Sequence, residues 1–224
     1  MYGFFFLPES LAQEKRRPVD IRKMIPGKAL IRIGSFAVVG GLILAFFLAN
    51  IAGQSLPATW SFFTKEVLDW SEADIGCSVS FVGILVSVTQ ALLIGKFVKW
   101  IGAQRTIQFG FILWTIGMTL FAFASDSLML YLFCIPYCLG GMSGPTLQSI
   151  LSDSVGDSEQ GILQGSLTSL TSITTILGPI LASTLFYRFT ESEPYFPGAP
   201  YLAGGILLSI SALIVFITFR RSVA

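Results

Sequence analysis

Six apolar runs, each about twenty residues long and with no Lys, Arg, Asp or Glu in the middle, constrain this chain more than any other feature. An α-helix needs about 20 apolar residues to cross the ~30 Å hydrocarbon core of a bilayer. Water is absent there, so the backbone must satisfy its own N–H and C=O groups, and a helix does so within one segment. The runs place spans at 36–62, 75–97, 106–124, 128–150, 161–187 and 200–219. The expected fold is therefore an all-α membrane protein, a six-transmembrane-helix bundle. Charged residues make up 12% of the 224, too few to coat a soluble domain of this size.

The basic residues predict an orientation. Lys15, Arg16, Arg17, Arg22, Lys23, Lys28 and Arg32 precede the first span. Lys96, Lys99 and Arg105 follow the second, and Arg220 and Arg221 follow the sixth. With six spans all of these fall on one side, against only Lys65 and Arg188 on the other. The positive-inside rule makes that side, and both termini, cytoplasmic. The stretch 151–160 lies on the same side with three acids and no base, and acids count little in that rule. Residues 1–7 are apolar but too short to span, and they lack the basic flank and cleavage site of a signal peptide. They look like the tail of a truncated helix that Pro8 ends, so 1–35 reads as that tail plus a basic loop, 36–219 as the bundle and 220–224 as a tail. Trp60, Trp70, Tyr187, Tyr195 and Tyr201 lie near outer span ends, as an aromatic belt would.

Polar side chains within spans are where function is expected, because an unpaired one is costly in hydrocarbon. Gln54 shares its stretch with Asn50, Gly53, Ser55 and Pro57, and it either lines a wet cavity or holds two helices together. Pro57 lacks a ladder donor and is expected to kink or loosen the outer end of the first span. In the fifth span Gln164, Thr168, Thr171 and Thr175 form one stripe, with Gly165, Ser169 and Ser172 beside it. Leu163, Leu167, Leu170 and Leu177 form a narrower apolar stripe, so this helix packs through small residues, lines water, or does both on different arcs. Gly178 and Pro179 mark a flexible point toward its outer end. The fourth span carries Gly140-Gly141-Met142-Ser143-Gly144-Pro145 and then Gln148, a packing interface or a gating hinge. Gln90 stands alone in the second span. The third and sixth spans are nearly all apolar and look like lipid-facing supports, with Trp114 of the third facing either lipid or a cavity.

No metal, cofactor or nucleic acid is implied. Histidine is absent, and Cys134 and Cys138, though four apart, have no further ligand near them. With Cys77 they read as small lipid- or core-facing residues. Fourteen bases nearly cancel thirteen acids, so no polyanion-binding surface is indicated. An intramembrane enzyme would need a nucleophile with a base, and no such pair is evident.

After the second span, Gly95 and Gly102 bracket a short basic turn that ends at Arg105. This turn resembles the degenerate second copy of the major facilitator signature, with Lys99 and Trp100 where an acid and an arginine are usual. The chain also resembles the tetracycline-resistance-like branch of the drug/proton antiporters. Phe6-Leu7-Pro8-Glu9-Ser10, the run Glu14-Lys15-Arg16-Arg17-Pro18, Gly53-Gln54 and Gln90-Ala91 carry that similarity, as does 160–172 continuing to Gly178-Pro179. The resemblance implies that the six spans are the C-terminal half of a twelve-span fold, in a bacterial inner membrane, with a site between two halves. It implies a small-molecule substrate, the lipid bilayer as surroundings, and an N-terminal six-span half as partner, in the same or a separate chain, or a second copy. Gln54, Gln90, Trp114, Gln148, Gln164, Thr168 and Thr171 are the candidate cavity residues; Pro57, Gly95, Gly102, Arg105, Gly144, Pro145, Gly178 and Pro179 are the candidate conformational ones. Tetracycline exporters of that branch carry an acid where this chain has Trp114, and some a histidine where it has Val86. The implied activity is drug or small-molecule efflux by alternating access, proton-coupled in the full-length protein. A non-transporting membrane subunit or an inactive remnant is the alternative.

Overall fold

The structure, a computed structural model, describes residues 37–156 and 159–223. The expected helix tail at 1–7 and the basic segment before the first span lie outside the described residues, as do residues 157 and 158. Among the described residues the chain forms helices and no strand: α1 (Ala37–Gly53), α2 (Ser55–Leu68), α3 (Glu72–Val88), α4 (Ile94–Ile101), α5 (Ala103–Phe121), α6 (Ser127–Gly140), α7 (Ser143–Asp153), α8 (Gln160–Glu191) and α9 (Ala199–Val223).

Several of these join end to end. α1 and α2 form one rod, α3 and α4 are joined by a π-helical turn at Thr89–Leu93, and α6 and α7 meet at Gly141-Met142. Five rods are long and apolar enough to cross a membrane: Val39–Leu68, Glu72–Ile101, Ser127–Asp153, Gln160–Glu191 and Ala199–Arg220. The remaining one, α5, has 19 residues and opens with Gln104, Arg105 and Gln108, which dilute its apolar character.

Local chemistry explains the ends. The helix of the first span is interrupted at Gln54, whose N–H donates to the Ile51 carbonyl at 3.2 Å, a short-range bond. Pro57 is the third residue of α2, where a missing N–H costs nothing, and its ring crowds the carbonyl four residues back at Gly53. The break thus falls just before the proline rather than at the outer end of the helix, which runs on to Leu68. Asp69 closes α2 in the left-handed conformation, φ 51°. Ser71 and Asp74 form a reciprocal capping box at the start of α3. The turn after the second span is tighter than Gly95 and Gly102 suggested. Gly95 is an ordinary helical residue of α4, and Gly102 alone, at φ 84°, reverses the chain into α5.

The first span sits at the centre. Leu42, Ala45, Phe46, Ala49 and Ala52 are buried, and α1 packs on α9 and α8 while α2 packs on α8. α5 packs on α6, α7 and α9, so it is not merely a peripheral support. Beyond its first turn only its Phe109, Ile112 and Ile116 line faces outward, matched by Ile206, Ile210 and Leu213 of α9. Buried Thr59, Thr64 and Thr146 donate to carbonyls of their own helices at 2.7–2.9 Å, which makes them tolerable in an apolar interior.

The expected aromatic belt is a core instead. Trp60, Trp70 and Tyr201 are 5%, 8% and 0% exposed, leaving only Tyr187 and Tyr195 at the surface. Trp60 stacks edge-on against Phe121 at 5.5 Å and Trp70 at 6.3 Å, and Phe63 meets Tyr201 at 4.9 Å. Each indole N–H finds a hydroxyl on another span: Trp60 donates to Ser78 at 2.9 Å, Trp70 to Ser127 at 2.8 Å. Such interhelical bonds are worth about 0.5–2 kcal/mol each in a membrane protein. Burial is possible because these bonds satisfy the indoles without water.

Candidate functional site

The break in the first span is gripped from three sides. The Gln54 side chain lies against Gly178 of α8, where a Cβ would collide with it. The indole edge of Trp114 lies over Gly53, so that a Cβ on Gly53 would come within 3.2 Å of Trp114 Cζ2. On α9, Gly204 packs near Met118 and the Ser55 hydroxyl. Gly178, read from sequence as a flexible point, is therefore buried inside a continuous 32-residue helix and accommodates Gln54.

Trp114 also reaches the break in the fourth span. Its backbone lies directly on Gly140, the last residue of α6, and its ring stands edge-on to Tyr137 at 6.3 Å. Gly117, one turn along α5, lies against the Tyr137 backbone, and Gly110 lies against Ser143 at the start of α7. One residue of α5 thus touches the discontinuities of two different spans, with its ring at the first and its backbone at the fourth. Trp114 is half-buried and inward, not lipid-facing. Its Nε1, beside Tyr137, is buried without a well-formed hydrogen bond, as are Thr115 Oγ1 and the Tyr201 hydroxyl.

The other sequence-predicted residues do not join that cluster. Gln90 is exposed on the π-helical turn of the second span, and Gln148 is exposed on α7. Gln164 donates to Ser152 at 2.9 Å and so ties the start of α8 to the end of α7. Thr168 is exposed and Thr171 half-buried, each donating to a carbonyl of its own helix. The apolar arc of α8 is the opposite one: Leu163, Leu167 and Thr174 are buried. Pro179 is half-buried beside Gly178, while Gly144 opens onto free space next to exposed Pro145. Arg105 is exposed on the first turn of α5.

Two polar faces have nothing against them. On α3, Gly76, Ser80, Gly83, Ser87 and then Gln90 recur at alternating spacings of four and three, and all are exposed. On α8, Gly161, Gly165, Thr168, Ser172 and Thr175 repeat the same spacing and are likewise exposed. Only 11% of the most apolar window of the second span and 17% of that of the fifth are buried, against 50% for the first. Sequence reasoning missed the α3 stripe, since small residues there looked like filler, and it missed the π-helical turn, whose only signal was the polar Thr89-Gln90 pair. Among the described residues no cluster of three or more His, Cys, Asp or Glu side chains could hold a metal ion.

Comparison with known proteins places this arrangement. The family model of the Major Facilitator Superfamily matches residues 5–224. The class C tetracycline resistance protein of Escherichia coli is 33% identical over 207 residues, covering 92% of this chain and 51% of that protein. The class H protein of Pasteurella multocida is 34% identical over 181 residues, covering 80% and 44%. The chain spans about half the length of these relatives. In fold it is similar to the human organic anion transporter MFSD10 (TETRAN), with a TM-score of 0.79 at 20% identity over 95% of this chain and 53% of that one.

Proposed function

The chain belongs to the Major Facilitator Superfamily, in its tetracycline-resistance-like branch, and we propose that it is the C-terminal half of a transporter exporting small molecules by alternating access. The observation that carries this reading is the pair of bare faces on α3 and α8. A helix surrounded by lipid has no use for a line of Gly, Ser and Thr, whereas close packing against another bundle, or water, does. The partner is an N-terminal six-span half, in the same or a separate chain; a second copy is the other way to supply a wall. The cargo would pass between the halves, along Gln54, Gln90, Thr168 and Thr171. Trp114, bridging Gly53 and Gly140, makes the first and fourth spans move together when the bundle rocks.

Coupling needs a group that changes charge within the membrane. Among the described residues every Asp and Glu lies at a helix end or in a connection. We assign the proton-titrating carboxylate to the partner half. The membrane is a bacterial inner membrane, with both termini cytoplasmic.

The test is transport in vesicles with an imposed pH gradient. This chain alone is expected to insert without extruding drug, and co-expression with a matching N-terminal half to restore proton-dependent export. Proton-driven extrusion by the chain alone would sink the half-transporter reading.

A further inference from the structure

At the end of the bundle opposite Gly102, the last turns of α2 and the connections 122–126 and 192–198 border an open cavity of about 330 Å³. Its lining includes Phe63, Phe123, Tyr195 and Phe196, with small residues of 122–124 and Pro197-Gly198 between them, and the one ionised side chain in it is Glu66. The Tyr195 hydroxyl donates to Glu66 Oε1 at 2.9 Å and so fixes the carboxylate at the cavity wall. Phe123 and Phe196 approach at 5.7 Å between ring centroids, and Phe123 stays 62% exposed. Lys65, the nearest base in sequence, is turned away into an ion pair with Glu72. The whole face has the same sign: Glu66, Asp69, Glu72, Asp74, Asp126, Glu191 and Glu193 stand there against Lys65 and Arg188.

We propose that this cavity binds an organic cation, an ammonium group carrying an apolar or aryl arm. Aromatic faces attract a cation through their ring quadrupoles, and they accept its apolar arm without penalty. One fixed carboxylate supplies the counter-charge, and an acidic face raises the local concentration of cations before contact. An anion meets repulsion and finds no basic side chain in the lining. The size suits a small amphiphile, at the low end of ligand cavities. An acidic outer face alone is the ordinary consequence of keeping bases on the other side; the concave aromatic lining with a hydrogen-bonded carboxylate is what makes a site. Its use in transport, as the cargo's point of contact at the outer face, rests on the reading above, but the binding itself does not.

The test is isothermal titration of benzyltrimethylammonium into the chain in lipid nanodiscs. Saturable binding is expected, weakened about five- to tenfold in Glu66→Gln and by a few-fold in Phe123→Ala. Glu66→Asp should retain most of it, Asp74→Asn on the same face but outside the cavity should change it less than about twofold, and benzenesulfonate should not compete. Absence of saturable binding, unchanged binding in Glu66→Gln, an equal loss in Asp74→Asn, or competition by benzenesulfonate each overturns the site. Glu66-dependent binding together with failed export in the co-expressed assembly would leave the site standing and remove the transporter. Export with Glu66-independent binding would do the reverse.

Discussion

At the scale of single residues, glycines decide how closely the helices approach. A Cβ on Gly117 would meet Tyr137 backbone atoms at 2.5 and 2.7 Å, so α5 and α6 touch backbone to backbone there. Gly83 has nothing within 4 Å. Gly117→Ala is therefore expected to destabilise the bundle by about 1–3 kcal/mol through overpacking. Gly83→Ala should instead stabilise it by about 0.5–1 kcal/mol, since alanine loses less backbone freedom in a helix. Thermal melts of the two variants in detergent should move in opposite directions; equal shifts would show that α5 and α6 are not in contact. Neither glycine stood out in the sequence, because spacing alone does not distinguish a glycine under a neighbouring backbone from one facing open space. The same holds for Trp60 and Trp70. Their position near span ends pointed to the interface, and only the hydroxyls of Ser78 and Ser127, 18 and 57 residues away, let them be buried.

At the scale of elements, periodicity was informative where one face differs from the other. In α8 Leu163 and Leu167 of the anticipated apolar stripe are buried, Leu170 is half-buried and Leu177 exposed, while Gln164, Thr168 and Thr175 are exposed and Thr171 is half-buried. Cysteines at 164, 168 and 175, in a Cys77→Ser background, should react with water-soluble thiol reagents in the assembled transporter. Cysteines at 163, 167 and 174 should not. Equal protection of both sets would mean that α8 is packed all round and lines no water. Where a helix breaks was less legible. Pro57 was visible, but the interruption lies three residues earlier at Gln54, because the proline acts on the carbonyl behind it and three neighbouring spans pack around that point. The π-helical turn is marked in composition only by the Thr89-Gln90 pair, since it depends on how one turn of backbone fits its neighbours.

At the scale of the whole molecule, charge separates the two ends. The connections 69–71, 122–126 and 192–198 share one end, linked by the Trp70–Ser127 and Tyr195–Glu66 hydrogen bonds. Gly102 and the connection after Asp153 lie at the other end. In intact cells, single cysteines at Asp69, Asp126 and Glu193, in the same Cys77→Ser background, should label with an impermeant reagent added outside, and one at Ala103 only after permeabilisation. External labelling of Ala103 would reverse the orientation. The end that carries 69–71, 122–126 and 192–198 is acidic, with Glu66, Asp69, Glu72 and Asp74 in one connection and its flanks.

The sequence by itself determined the material of the fold: helices long enough to span, and a fifth span with a polar stripe beside an apolar one. These follow from local composition, because a bilayer makes every unsatisfied backbone group costly and leaves the chain few alternatives. The tertiary structure alone decided which polar residues meet. Gln54 rests on Gly178 and Trp114 lies across two helix breaks, while Gln90, Gln148 and Gln164 go elsewhere. Lipid is as apolar as the side chains, so hydrophobicity cannot choose between partners. Close backbone approach and individual hydrogen bonds make that choice, and both depend on residues far apart in the chain.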